Sequence, residues 1–296
     1  MMAVSDTPAY ATVKAVGLSP DNSKGGLPHI GSTVTLFNAK TCLWVNQFHM
    51  LWYFLFFFHL MGLSFTGQVN GGQIFDQIWK VFLESLPTTM LAGFFVGGIM
   101  TVQFSMQIEA FGAMSYLGGL ATSATFREVG PLLIAFLLSG KIGAFTAAEL
   151  GTMKVTEQID AIRCLGSDPL IEVIVPRFIG IIVASLFLLV FGLGLSVTGG
   201  MLMAYFFANI NPDEYIRHIS SIVTISSIFS GLFKCLTFSF VIAGICTYMG
   251  YSTTGGARGV GLSVIRTAVL SMVSIVVTDW LTSFLFNSVL QSMGKL

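Results

Sequence analysis

Charged side chains are scarce in this sequence. Its 296 residues include 14 Lys and Arg and 14 Asp and Glu, together 9% of the chain, whereas a soluble domain carries roughly 25%. Apolar residues make up 54%, and the mean hydropathy is +0.83. These values exclude a soluble protein, and the net charge of zero argues against a nucleic-acid partner, which would need a basic surface.

The sequence also lacks a recognisable catalytic or metal-binding motif. Its four cysteines, Cys42, Cys164, Cys235 and Cys246, show no paired spacing, so neither a disulfide framework nor a zinc knuckle is indicated. The run Ser139 to Ile142 contains Gly-Lys, but it lacks the upstream Gly and the following Ser or Thr of a phosphate-binding loop. We expect no catalytic residue, metal or cofactor in this chain. If such a chain transports a substrate, it either runs downhill or takes its energy from a partner.

What the sequence does contain is long apolar segments rich in Gly and Phe, with 32 and 27 residues respectively. Gly is frequent in membrane helices, and the alternation of a membrane β-barrel is missing. The predicted fold is therefore an all-α integral membrane protein. Its five predicted transmembrane helices cover residues 86–108, 129–148, 178–212, 219–251 and 267–290.

The region before the first span divides into two parts. Residues 1–40 are polar and predict a flexible tail, and residues 41–84 predict an interfacial helical region. Within it, residues 43–63 are long enough to span a bilayer, but their aromatic rings and polar interruptions also suit a helix in the plane of the interface. Length alone leaves both possibilities open. A span would translocate Lys14, Lys24 and Lys40, which favours the in-plane helix.

The distribution of Lys and Arg predicts the orientation. One side carries Lys80, Lys154, Arg163, Arg177, Arg258 and Arg266, and the other carries Arg217 and Lys295. Because the basic side faces the cytoplasm, we expect the C-terminus to face outwards.

A short amphipathic helix is predicted over residues 152–166, between the second and third spans. Val155, Ile159, Ile162 and Leu165 form one apolar stripe. Gly166 is placed as a C-cap, and Asp168-Pro169 ends the element. Such a helix either rests on lipid or receives force from a cytoplasmic partner.

Isolated charges and small residues mark the spans themselves. A charge inside the bilayer costs at least ~2.5 kcal/mol, so it faces a cavity, a partner or the bundle interior. These charges either neutralise one another and fix the packing, or line a cavity for a ligand with a charged head and an apolar body, such as a lipid. Rows of small residues at four-residue spacing predict close helix contacts, within the chain or between subunits. The charges are Arg127, Glu128, Lys141, Lys234 and Asp279, and the rows are Gly93 and Gly97, then Gly140, Ala144 and Ala148, then Gly192, Ser196 and Gly200.

One long motif resembles a known family. ELGTM-x-VTEQIDA begins at Glu149 and is followed by GxDP at Gly166. The run from Gly93 to Arg177 resembles the MlaE/YrbE permease family, the membrane subunits of MCE-type lipid ABC transporters. The resemblance extends over residues 85–290, within a permease domain of residues 85–296.

The resemblance implies a homodimer in the bacterial inner membrane, each subunit with an N-terminal in-plane helix and five membrane helices. It implies cytoplasmic ATPase subunits (MlaF-like) that hold ATP and Mg, a hexameric MCE-domain protein (MlaD-like) on the far side and a small STAS-domain subunit (MlaB-like). The expected cargo is phospholipid or a related lipid. A self-sufficient channel or secondary transporter that uses the same charges is the alternative.

The resemblance also implies residue roles. A coupling helix would contact the ATPase through Lys154, Glu157, Gln158, Asp160, Arg163, Gly166 and Asp168. The lipid cavity would be lined by Arg127, Glu128, Lys141, Lys234 and Asp279. This sequence departs from the family at Lys141, where Arg is usual, at Phe145, where a small residue is usual, and at Ser167, where the family has an apolar residue.

Overall fold

The computed structural model describes residues 56–57, 60–63 and 71–292, without the side chain of Leu290. The polar tail predicted over residues 1–40 lies outside this part of the chain, as does most of the region predicted to be interfacial before residue 71. Of that region, Phe57 packs edge-on against Phe178, with ring centroids 5.7 Å apart, and Leu60 is fully buried in the core.

Five long helices confirm the all-α membrane fold, and the described residues contain no strand. The candidate spans are α1 (Gly71–Glu109), α2 (Met114–Val155), α4 (Leu170–Ala208), α6 (Ile225–Tyr251) and the greater part of α7 (Gly256–Ser292). Two short helices connect them, α3 (Gln158–Cys164) between α2 and α4, and α5 (Pro212–Ile222) between α4 and α6. We refer to the two ends of the bundle as the α3 end and the α5 end.

Helices α1 and α2 extend beyond the predicted spans where charged residues begin. In contrast, α4 ends at Ala208 and α6 begins at Ile225, because the separate helix α5 occupies the predicted ends at residues 212 and 219. α1 starts at Gly71 rather than near residue 86, so the boundary expected at residue 84 falls inside a continuous helix. α2 likewise starts at Met114 and continues through Arg127 and Glu128. Hydropathy locates the part of a helix that lies in lipid, whereas backbone hydrogen bonding continues past it.

Glycines bring α1 and α4 into backbone contact. A Cβ atom on Gly93 would lie 2.2 Å from the carbonyl oxygen of Gly192, and one on Gly97 would lie 1.8 Å from that of Ser196. Two of the small-residue rows therefore pack against each other within the chain. A close helix crossing of this kind gains van der Waals contact that lipid would not supply.

The loop at the α3 end differs from the prediction. The helix expected over residues 152–166 is two elements, because α2 ends at Val155 and Glu157 has a left-handed backbone with φ of 61°. The apolar spacing did not reveal this break, because Val155 before it is partly buried and Ile159 after it is fully buried. The predicted C-cap is confirmed: α3 ends at Cys164 and Gly166 has φ of 85°.

Candidate functional site

Three charges from three helices meet inside the bundle. The Lys234 ammonium of α6 lies 2.9 Å from Oε2 of Glu128 on α2 and 2.7 Å from Oδ1 of Asp279 on α7. It donates a hydrogen bond to Glu128, while its contact with Asp279 is an ion pair without hydrogen-bond alignment. Lys234 is 1% exposed and Asp279 14%, whereas Glu128 is 50% exposed. We call these three residues the charge triad.

Two further contacts join the same helices beside the triad. Ser283 donates to the Glu128 carboxylate at 3.3 Å, and Arg127 donates to Oδ1 of Asn287 at 3.3 Å. Arg127 and Glu128 belong to a π-helical turn, Thr125–Val129. Such turns shift side chains out of the ordinary helical register and are frequent at functional sites. The side chains of Arg127 and Glu128 both contact α7 from this turn.

The arrangement separates buried charge from accessible charge. Lys234 is enclosed by its two carboxylates, so the accessible charges at this site belong to Glu128 and its neighbour Arg127. These two accessible groups carry opposite charges. They can therefore pair with a ligand group that also carries both signs of charge.

Lys141 is not brought to the triad. It lies in a second π-helical turn of α2, Ser139–Gly143. Its ammonium donates to the backbone carbonyl of Glu84 on α1 and, at 2.9 Å, to Oγ1 of Thr88. Of the five residues predicted to line a lipid cavity, the structure thus gathers four on the α2, α6 and α7 contact and leaves Lys141 at the α1 contact.

At the α3 end a second ion-pair cluster forms around Glu149. Its Oε1 atom accepts a hydrogen bond from Lys80 of α1 and forms an ion pair with Arg177 of α4, each at 3.2 Å. The Lys80 ammonium also lies 5.0 Å from the centre of the Phe145 ring, a cation-π distance. Glu149 therefore connects the end of α2 to both members of the α1–α4 pair.

The residues predicted to contact an ATPase lie on and around α3. Lys154 and Asp160 pair across the break at 3.1 Å, with Arg163 3.9 Å from Asp160. Asp168 accepts a hydrogen bond from the Leu170 amide at 2.9 Å and caps α4. Glu157, Gln158 and Gly166 are exposed.

The sequence analysis missed several residues that make buried or functional contacts. Ser283 and Asn287 follow Asp279 at steps of four, so a polar stripe on the last span was the available signal. Tyr215 of α5, which lies 3.2 Å from Oγ1 of Thr101, gave no sequence signal of burial. Among the described residues, no group of three or more His, Cys, Asp or Glu could hold a metal ion.

The comparisons with known proteins agree with this architecture. A family model described as Permease MlaE matches residues 74–285. A probable ABC transporter permease protein of Synechocystis sp. is 32% identical over 229 residues, which cover 77% of this chain and 86% of the relative. One of Rickettsia typhi is 33% identical over 215 residues, covering 72% and 83%. Protein trigalactosyldiacylglycerol 1, chloroplastic, of Arabidopsis thaliana is 32% identical over 222 residues, covering 75% and 63%.

Proposed function

The chain belongs to the MlaE permease family, and from this membership we propose that it carries a lipid as the membrane subunit of an ABC transporter. The observation that supports a lipid is the charge triad. A protein that only needed to pack its helices would gain little from a lysine 1% exposed between two carboxylates. A headgroup site, in contrast, uses accessible charges of both signs, which Arg127 and Glu128 supply.

The name of one relative supports the same class of cargo. The chloroplast relative is named after trigalactosyldiacylglycerol, which is a glycolipid. We propose phospholipid as the cargo of this chain, because the accessible guanidinium and carboxylate match a phosphate and an ammonium group of one headgroup.

The surface of α3 supports an ATPase partner. Leu165 at the C-terminal end of α3 is 84% exposed, although it belongs to the apolar stripe, and Glu157 and Gln158 at the N-terminal end of α3 are also exposed. An exposed apolar side chain within a polar loop suits a protein contact. We propose that ATP and Mg bind to the partner, and that α3 transmits its motion to the membrane helices.

The remaining parts of the proposal rest on the family. They are a homodimer in the bacterial inner membrane, with the C-terminus on the periplasmic side, and an MCE-domain hexamer that receives the lipid there. A small STAS-domain subunit completes the proposed assembly.

Transport by the purified complex in liposomes tests the proposal. Fluorescent phospholipid should move only when ATPase and ATP are both present, and Glu128→Lys should lower the fraction of photoactivatable phospholipid that crosslinks to the protein. Asp213→Lys, an equal charge reversal on α5, is the control. Equal crosslinking by wild type and Glu128→Lys would refute the headgroup site, and transport by the isolated chain without ATP would favour a channel or secondary transporter instead.

Copurification tests the ATPase contact separately. Glu157→Lys and Leu165→Asp should release the ATPase while the permease remains monodisperse. Reversal of Asp160 is less informative, because this residue also pairs with Lys154 within the loop. An ATPase that stays bound to the Glu157→Lys, Leu165→Asp double variant would refute docking on α3.

A further inference from the structure

α1 is held differently by its two neighbours. Against α4 it makes backbone contact, since a Cβ atom on Gly199 would lie 2.0 Å from the carbonyl oxygen of Phe94, in addition to the contacts of Gly93 and Gly97. Against the second half of α2 it is instead contacted by long side chains from both helices. These are Lys80 with Glu149, and Lys141 with Glu84 and Thr88. We call this second contact the α1–α2 seam.

The contacts of the seam occur at matching intervals. On α1 they involve residues 80, 84 and 88, and on α2 residues 149, 145 and 141. Steps of four place each set on one helix face. One cavity of about 60 Å³ lies in the seam, lined by Val81 and Ser85 of α1 and by Lys141 and Phe145 of α2. The seam is therefore bridged by side chains and encloses empty space, in contrast to the backbone contact of α1 with α4.

The Lys141 contact joins two irregular turns. Pro87 lies inside α1 and has no N–H to donate to the carbonyl four residues earlier, which weakens that turn. Lys141 reaches the carbonyl of Glu84 and the hydroxyl of Thr88, on either side of Pro87. It does so from a π-helical turn, which is itself a common site of helix bending. One ammonium thus connects an irregular turn of α1 with an irregular turn of α2.

We infer that Lys141 is a positioning residue that sets the spacing between α1 and α2 across the seam. Two of the three ammonium donors are used by α1, so Lys141 acts on the helix rather than on a lipid headgroup. Because α1 and α4 are in backbone contact, a displacement of α2 at the α3 end reaches both helices through the seam. The spacing role stands on the contacts alone, and its consequence for transport rests on the proposed function.

The distance between α1 and α2 tests the inference without transport. Spin labels replace the exposed Leu91 of α1 and Leu137 of α2, in the full chain with Cys42→Ser and Cys164→Ser, and pulsed electron paramagnetic resonance measures their separation. Lys141→Met should broaden the distance distribution and shift it to longer values, and Thr88→Val should give a smaller shift. Lys141→Arg, which keeps a charge and several donors, should retain the wild-type distribution.

Lys154→Met is the matched control, because Lys154 also lies on α2 but pairs with Asp160 in the loop; its distance distribution should equal that of the wild type. Mass spectrometry of the lipid retained by each purified variant gives a second result. The inference predicts a changed distance and unchanged retained lipid for Lys141→Met. An unchanged distance, with or without a loss of lipid, would overturn it, as would a failure of Lys141→Arg to retain the wild-type distance. If Lys141→Met is not monodisperse, Thr88→Val decides by the same criterion.

Discussion

Removal of the Lys234 ammonium isolates the energetic role of the charge triad. In Lys234→Met the side chain keeps a similar length but is uncharged, so Glu128 and Asp279 lose their common cation. Asp279 is 14% exposed, so its carboxylate must either remain uncompensated or take up a proton. Loss of one partner from a buried ion pair costs about 3–5 kcal/mol of unfolding free energy, and we expect Lys234→Met to fall in this range.

A double-mutant cycle separates the pair from the individual residues. Asp279→Asn alone should cost less than Lys234→Met, because Lys234 retains Glu128 at 2.9 Å. The double variant Lys234→Met, Asp279→Asn should recover part of the loss, because no carboxylate is then left uncompensated on α7. The coupling energy should lie between about 0.5 and 3 kcal/mol, as for residues in contact.

Unfolding by SDS in mixed micelles, followed by tryptophan fluorescence, measures these free energies. Lys154→Met is the control, since Lys154 and Asp160 are 27% and 45% exposed and a partly exposed pair contributes about 0–1 kcal/mol. A loss no larger for Lys234→Met than for Lys154→Met would refute the reasoning. So would additive effects of the two triad substitutions.

Four further substitutions test the packing and capping by the same unfolding measurement. Gly97→Ala should cost about 1–3 kcal/mol, because the new Cβ atom would lie 1.8 Å from a backbone oxygen, whereas Gly194→Ala, with no atom within 4 Å, should stabilise by about 0.5–1 kcal/mol; equal effects would contradict the α1–α4 contact. Asp168→Ala should cost about 0.5–2 kcal/mol, since Asp168 caps α4, and a neutral result would contradict the cap. Tyr215→Phe should cost about 0.5–1.5 kcal/mol through loss of the contact with Thr101, and a stability equal to that of the wild type would show that this hydroxyl contributes nothing.

Local sequence was sufficient wherever the physical signal lies within one helix. The apolar lengths predicted five spans, because the bilayer requires about 20 apolar residues per helix. Gly166 predicted a helix end, since glycine adopts a positive φ at low cost, and the structure has φ of 85° there. The small residues of α1 and α4 predicted close packing, but their spacing left the partner open. Only the folded chain showed that Gly93 faces Gly192.

The sequence by itself determined that this is a helical membrane protein and to which family it belongs. It also showed which charged residues lie inside the apolar spans. Tertiary structure decided how those charges are paired. Lys141 and Lys234 look alike in sequence, each a single lysine in an apolar run, yet one contacts the α1 backbone and the other lies between two carboxylates. Hydropathy depends on each residue's own transfer free energy, whereas an ion pair depends on which helices are neighbours and on their rotation. The latter are set by contacts between residues far apart in the chain.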